Sequence, residues 1–272
     1  MRLWKRKKTK ARFILSKLIS LGIPYVVFSV VYIAINSFVG QANTQSSILD
    51  ALYIWKTPVA QYWFLYALFF LFCIYAVFSG ILPNWATTLA VVLIAYVLPL
   101  FGIGFGSFEV VVYSALAFGL GASLNFSVLT KPAPWIKWCV IASHIAVGVW
   151  LVVIGRIEDL YIKELMQLYG IYASILLISM LQNCKIVSRF LSFINKYSFQ
   201  IYLLHTIFTA GIRIVMVRLN ITQWWIHVVV GTICGIVFSV LAAVIAKKIK
   251  FLNFFFFPGK IKTRKEVGVN GG

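Results

Sequence analysis

The segment Asn195–Thr206 reads Asn-Lys-Tyr-Ser-Phe-Gln-Ile-Tyr-Leu-Leu-His-Thr and opens an apolar run that continues to about Met216. At about 1.5 Å of rise per residue, a helix over this run is long enough to cross the hydrocarbon core of a bilayer. His205 therefore lies inside a predicted membrane span. Because ionisable side chains in hydrocarbon cost free energy, they usually line a protein interior or a water-filled path, which makes His205 a candidate functional residue.

Polar side chains recur along this predicted helix at steps of four, three, four and four residues. That spacing places them on one helical face. They are Ser198, Tyr202, His205, Thr209 and Arg213. Apolar residues such as Ile201 and Leu204 cover the remaining surface of the helix. We therefore expect the polar face to point into the protein.

The composition is that of an integral membrane protein. The chain is 62% hydrophobic and 11% charged, with a mean hydropathy of +0.95. A net charge of +19 is compatible with nucleic-acid binding, but the basic residues are concentrated between apolar runs and at both ends, where membrane topology explains them. We predict no nucleic-acid partner. The four cysteines each stand alone without metal-ligand spacing, so we predict no metal site.

Hydropathy predicts an all-α bundle of about eight membrane spans. The predicted spans are Leu18–Phe38, Tyr62–Ser79, Trp85–Phe101, Phe108–Leu124, Ile136–Ile154, Leu165–Leu181, Ser198–Met216 and Trp224–Ala246. Residues 1–17 form a basic N-terminal segment, residues 18–246 the membrane domain, and residues 247–272 a basic tail. Glycine and proline at Gly80–Pro83 and Gly102–Gly106 predict tight turns between neighbouring spans.

The distribution of basic residues predicts that both termini are cytoplasmic. If the chain has eight spans and begins in the cytoplasm, most of its 25 lysines and arginines fall on the cytoplasmic side of the membrane. The basic residues on the opposite side are Lys56, Arg156, Lys163, Arg213 and Arg218. This bias follows the positive-inside rule. On the cytoplasmic side, Lys185–Lys196 mixes apolar and basic residues, a pattern suited to anionic lipid or to the phosphates of an acyl donor.

The three histidines differ in the roles that their positions suggest. His205 is a candidate general acid or base, because imidazole gains and loses a proton near neutral pH; the alternative is a structural histidine bonded to a neighbouring helix. His144 lies mid-span among apolar residues, and His227 lies near a membrane boundary.

The aromatic rings of Trp63 and Tyr66 at the start of the second span indicate either a position at the membrane interface or a pocket for an acyl group or sugar.

Four short segments then form a recognisable series: Lys17–Tyr25 (Lys-Leu-Ile-Ser-Leu-Gly-Ile-Pro-Tyr), Tyr62–Leu68 (Tyr-Trp-Phe-Leu-Tyr-Ala-Leu), Lys196–His205 and Leu252–Lys260. In this order they resemble the acyltransferase 3 family of membrane O-acyltransferases. The counterparts in that family are a basic stretch before a Pro-Tyr helix start, a Trp-Phe-Leu segment, a late Tyr-Ser…Tyr-Leu-x-His helix and a closing segment. The late helix is the most specific of the four.

The resemblance implies transfer of an acyl group, usually acetyl from acetyl-CoA, to a hydroxyl of a carbohydrate or related acceptor, without a bound cofactor. Members usually have two further N-terminal spans, the first of which carries an arginine and a catalytic histidine. None of His144, His205 and His227 matches that histidine. Unless His205 takes the place of that histidine, we expect one of three situations. The chain is inert, it works with a separately encoded N-terminal piece, or it is an incomplete gene product.

We therefore predict a multi-pass acyltransferase of the cell membrane, with His205 as the catalytic residue. The predicted substrate-binding residues are Trp63, Tyr66, Ser198, Tyr202 and Arg213, which would line a cavity between the second and seventh spans. Membrane lipid and a glycan acceptor are the expected partners, and acyl-CoA is the donor. The alternative from another class is a non-enzymatic carrier for a lipid-linked glycan that uses the same polar face as a pathway.

Overall fold

The computed structural model describes residues 10–38, 47–123, 126–157 and 159–258, which are mostly helical. Within these ranges no β-strand forms, and an isolated bridge joins Ser79 to Leu82. The predicted all-α class is confirmed. The described residues fall into two compact units: residues 120–196 form one, and residues 10–119 together with 197–258 form the other.

The described residues of the two units are mostly α-helical. In chain order the helices are α1 (Lys10–Lys17), α2 (Ile23–Phe38), α3 (Trp63–Phe78), α4 (Asn84–Val97), α5 (Glu109–Ser123), α6 (Phe126–Leu129), α7 (Pro134–Val153), α8 (Leu160–Leu181), α9 (Lys185–Arg218), α10 (Trp224–Lys248) and α11 (Lys250–Phe256). Short 3₁₀ segments occur at Ile48–Tyr53, Ala60–Tyr62, Leu98–Phe101 and Gly106–Phe108. The boundaries of the two units fall within α5 and α9.

In the part of the chain that the structure describes, seven helical stretches are long and apolar enough to cross a membrane. They are Lys10–Ser37, Ala60–Phe78, Asn84–Phe101, Gly106–Ser123, Pro134–Val153, Lys185–Arg218 and Trp224–Lys248. The eighth predicted span, Leu165–Leu181, is a shorter apolar stretch within α8. The polytopic helical bundle is thus confirmed. The cytoplasmic placement of both termini stays a prediction.

Large apolar side chains cover much of the exposed surface. Val153, Trp224 and Leu100 retain 78%, 76% and 75% of their accessible surface. A soluble monomer rarely exposes apolar area on this scale, whereas a bilayer accommodates it without cost. The exposed surface of these spans is therefore suited to lipid.

The first span begins earlier than predicted and contains a π-helical segment. Its helix starts at Lys10, eight residues before the predicted Leu18, because basic residues remain good helix formers outside the apolar core. Residues Leu18–Gly22 are π-helical, and the Ile23 N–H donates to the Leu18 carbonyl. Pro24 follows this segment, has no N–H and crowds the carbonyl of Ser20, so the regular α-helical bonding is interrupted there. The predicted basic residues 1–9 lie outside the described residues.

Both predicted glycine turns are present. Between α3 and α4, Gly80 has φ of +90°, and Gly102 has φ of +76° after the 3₁₀ segment Leu98–Phe101. These values lie in the region that glycine adopts without a steric penalty. At the other end of the chain, α10 ends with Lys247 and Lys248 and α11 follows at Lys250. The remainder of the predicted tail, residues 259–272, lies outside the described residues.

Helix α9 is longer than the predicted seventh span. The sequence predicts a span at Ser198–Met216 preceded by a separate amphipathic segment, whereas one helix of 34 residues runs from Lys185 to Arg218. No glycine or proline interrupts residues 185–210, so nothing in the backbone ends the helix at the membrane boundary. The basic segment is therefore a direct extension of the helix that carries His205.

The unit formed by residues 120–196 is built mainly on α7 packed against α8. Lys137 Nζ donates to Ser179 Oγ at 3.1 Å, and the rings of His144 and Tyr169 stack edge to face with centroids 5.1 Å apart. Gly170 permits this contact, because a Cβ there would lie 3.1 Å from His144 Nε2. His144 is thus a packing residue between two helices of this unit.

Candidate functional site

Hydrogen bonds join α9 to the segment that leads into α3. The Tyr202 hydroxyl donates to the Gln61 carbonyl, and the Gln61 side-chain amide donates to Thr206 Oγ1. The Tyr62 hydroxyl donates to the Leu203 carbonyl at 2.8 Å. These residues are more than 140 positions apart in the chain, and the three bonds fix one side of α9 where His205 lies.

Aromatic rings pack around this junction. Tyr62 has no accessible surface, and its ring lies 6.0 Å from that of Tyr32 in an edge-to-face arrangement. The Tyr202 ring meets Phe64 edge to face at 5.7 Å. Such pairs stabilise a packed core by about 0.5–1.5 kcal/mol beyond their burial. The junction is therefore a rigid support for the turn of α9 that holds His205.

His205 is held by its own helix through one ring nitrogen. Nδ1 lies 2.9 Å from the Ile201 carbonyl and 3.1 Å from the Tyr202 carbonyl. Because carbonyl oxygens only accept, Nδ1 must carry the proton in this arrangement. In the neutral imidazole, Nε2 then has a free lone pair, and no described residue forms a hydrogen bond with it. The half-buried ring therefore presents a proton acceptor.

Helix α10 packs against α9 one turn beyond His205 through two glycines. Thr209 Oγ1 donates to the Gly231 carbonyl at 3.2 Å. A Cβ added at Gly235 would lie 2.7 Å from Thr209 Oγ1 and 3.4 Å from the His205 carbonyl. The absence of side chains at these glycines sets how closely α10 approaches the His205 turn.

We expect Gly235→Ala to destabilise the protein by about 1–3 kcal/mol, because its methyl group collides with Thr209 Oγ1. Thr209→Ala removes that atom, so the double variant should recover most of the loss. The measurement is the midpoint of thermal unfolding in detergent. Gly211→Ala is the matched control, since a Cβ at Gly211 has nothing within 4 Å. If the double variant lowers the thermal midpoint by the sum of the two single decreases, this packing is contradicted.

The predicted polar face of α9 is not uniformly interior. Tyr202, His205 and Thr209 are half-buried and bonded as described, but Ser198 and Arg213 are exposed. The expectation that the whole face points inward is therefore wrong for its two ends. Helical spacing groups residues on a face, but the surrounding helices determine which face is covered. The assignment of Ser198, Tyr202 and Arg213 to substrate binding stays a prediction.

Three polar residues that the sequence does not single out lie near this site, one of them buried and two half-buried. Gln200 retains 4% of its surface and donates to the Phe256 carbonyl, and Gln61 and Thr206 form the bond between α9 and the start of α3. The sequence offers one sign of their importance, which is that Gln200 and Thr206 are polar residues inside an apolar run. Their hydrogen-bond partners are far away in the chain, so the spacing of polar residues along α9 does not identify them.

Two cavities lie in the unit formed by residues 10–119 and 197–258, on either side of the π-helical segment. The first has a volume of about 440 Å³ and an apolar lining that includes Leu18, Gly22, Tyr25, Trp55, Tyr66 and Phe70. The second has about 340 Å³ and is lined by Ser20, Leu21, Phe199, Gln200, Phe256, Phe257 and Pro258. Tyr66 lines the first cavity, which no residue of α9 reaches, whereas Trp63, 41% exposed, and His205 line neither cavity. The assignment of Trp63 and Tyr66 to substrate binding stays a prediction.

The remaining histidine of this unit is structural. His227 Nε2 donates to the Ile221 carbonyl at 2.7 Å and so ties the start of α10 to the preceding turn. Within the described ranges, no three His, Cys, Asp or Glu side chains are grouped closely enough to hold a metal ion. His205 and His227 each have one ring nitrogen held by a backbone carbonyl, and among the described residues the other nitrogen of each has no hydrogen-bond partner. His205 differs in lying on the polar face of α9.

Comparison with known proteins identifies the family. Residues 3–244 match the family model described as an acyltransferase domain, that of acyltransferase 3. No curated protein and no solved structure matches the chain. The match includes three of the segments that carried the resemblance, and it spans most of the chain's length. The chain therefore belongs to the acyltransferase 3 family.

Proposed function

We propose that this chain is an O-acyltransferase of the cell membrane that moves an acyl group, usually acetyl, from acyl-CoA to a hydroxyl of a surface carbohydrate or related acceptor. Family membership supports acyl transfer. The observation that carries the finer proposal is the geometry of His205, whose Nδ1–H is held by two backbone carbonyls while Nε2 has no hydrogen-bond partner in the part of the chain that the structure describes.

The chemistry requires a base for the acceptor hydroxyl. Nε2 of His205 removes the hydroxyl proton as the oxygen attacks the thioester carbonyl. The C–S bond breaks, and the imidazolium returns its proton to the departing CoA thiolate. The acyl group ends as an ester of the acceptor, and His205 ends in its starting state. The two Nδ1 hydrogen bonds keep the ring in the tautomer that this step needs.

The surroundings of His205 suit such a step. The Gln61–Thr206 and Tyr202–Gln61 bonds fix the helix turn, and the Phe64 ring packs against the Tyr202 ring. A base that is fixed in this way keeps its geometry between turnovers. Trp63, Tyr66, Ser198, Tyr202 and Arg213 are the proposed substrate contacts.

The proposal is tested by feeding isotope-labelled acetate to cells that express the chain and measuring label in alkali-labile esters of surface glycan. We expect label above that of cells carrying an empty vector. Label that appears only on co-expression of a family N-terminal hairpin would mean that a separately encoded piece supplies the base, which would overturn the role of His205. Absence of label in both cases would contradict the acyltransferase proposal and favour a glycan carrier.

A further inference from the structure

The cavity of about 340 Å³ is lined by none of the residues that act in the proton transfer assigned to His205. It lies where the π-helical segment, α9 and the end of α11 meet, and its walls are almost wholly apolar, dominated by Phe199, Phe256 and Phe257. Its volume is near the lower end of the range for small-molecule sites. A narrow ligand or part of a larger one fits such a space.

One polar group of this cavity has an unmet hydrogen bond. The Gln200 side chain retains 4% of its surface, and its Nε2 donates to the Phe256 carbonyl. Because a carbonyl cannot donate, this bond fixes which end of the amide is nitrogen. The other end, Oε1, is buried and has no hydrogen-bond partner among the described residues. A buried acceptor without a donor is costly, and a ligand N–H or O–H would remove that cost once the Gln200 side chain turns Oε1 toward the cavity.

A positive charge lies beside the same cavity. Lys247 Nζ is 5.0 Å from the centre of the Phe257 ring, which lines the cavity, and it donates to the Tyr197 hydroxyl at 3.3 Å. Residues 197–258 contain no aspartate or glutamate, and Lys248 and Lys250 follow close behind. An anionic group at this position would be attracted electrostatically.

We infer that this cavity binds the pantetheine arm of the acyl-CoA donor, an inference that rests on the proposed function. A pantetheine amide N–H donates to Gln200 Oε1, the dimethyl and methylene groups pack against the phenylalanine rings, and Lys247 attracts the phosphates. A lipid chain matches the apolar walls but supplies no donor for Oε1. A sugar ring needs several polar partners, which these walls lack. The arm of acyl-CoA satisfies the acceptor, the apolar walls and the charge together.

The test measures binding of CoA, of pantetheine and of adenosine 3′,5′-bisphosphate to the purified chain by calorimetry in detergent. Gln200→Leu should weaken CoA and pantetheine binding about tenfold, the effect of losing one buried hydrogen bond, and leave the nucleotide unaffected. Lys247→Met should weaken CoA and the nucleotide but not pantetheine. Gln182→Leu, at an exposed glutamine, is the matched control.

A second variant guards against misfolding. Leu21→Phe places a larger side chain in the cavity and reduces its free volume without altering Gln200, so it should also weaken pantetheine binding while the thermal midpoint stays near that of the parent. Unchanged pantetheine affinity in both Gln200→Leu and Leu21→Phe, or no binding of CoA by the parent chain, would overturn the inference. The binding site and the proposed function can fail independently. If the parent chain forms ester and Gln200→Leu leaves both ester formation and CoA affinity unchanged, this site is refuted and the proposed function stands. If Gln200→Leu abolishes CoA binding but the parent chain forms no ester, the site is supported and the proposed function is refuted.

Discussion

Gly119→Leu is expected to lower the midpoint of thermal unfolding in detergent by roughly 6–12 °C, because it overpacks a closely packed contact between helices. Gly119 lies in α5 opposite a buried hydrogen bond of 2.6 Å between Tyr75 and Thr88. A Cβ at Gly119 would lie 2.1 Å from Thr88 Oγ1 and 2.6 Å from the Tyr75 hydroxyl. No side chain fits there unless α5 moves away from α3 and α4.

The neighbouring position supplies the control for this substitution. Gly121 is in the same helix, and a Cβ there would have nothing within 4 Å. Gly121→Leu should therefore change the midpoint by no more than about 2 °C, which is the range of a surface substitution. Equal effects of the two substitutions would show that helix propensity, rather than the contact with Tyr75 and Thr88, determines the response.

His205→Ala is expected to reduce the rate of acyl transfer by about 10²–10⁴-fold, the usual contribution of a general base. His205→Gln retains much of the side chain's volume but has no basic nitrogen, so it should be impaired to the same degree. The thermal midpoint should change little in both variants, because the hydrogen bonds of His205 are confined to its own helix. The measurement is the initial rate of ester formation at saturating acyl-CoA.

His144→Ala is the control for this prediction. It removes another histidine from inside a span, one whose ring packs against Tyr169 and whose Nδ1 is buried without a hydrogen-bond partner among the described residues. The rate should stay within about threefold of the parent, since His144 has no part in the step. A rate in His205→Ala that also stays within this range would exclude His205 as the base.

The spans were predictable because they depend on local properties. Apolar runs long enough for a bilayer and turns at Gly80 and Gly102 are visible in the sequence, and both appear in the structure. The start of the first helix at Lys10 was not predicted, since hydropathy locates the hydrocarbon core and says little about helix outside it. The same reason explains why α9 extends back to Lys185.

The site was predictable only in part because its contacts are long-range. Spacing on α9 identified the face that carries Tyr202, His205 and Thr209, but nothing local indicated that Gln61 would bond both Tyr202 and Thr206. Gln200 lies on a different side of the same helix, and its importance depends on the distant Phe256 carbonyl. Such pairings follow from how helices pack, which a periodic pattern does not specify.

The central claim, that this chain transfers an acyl group from acyl-CoA to a hydroxyl, is tested most directly in inside-out membrane vesicles from cells that express it. Such vesicles retain the host's acceptors and expose the predicted cytoplasmic side to added radiolabelled acetyl-CoA. The account predicts alkali-labile labelled ester and free CoA in equal amounts, both above the level in vesicles without the chain. Release of CoA without ester, or neither product above that level, would contradict it.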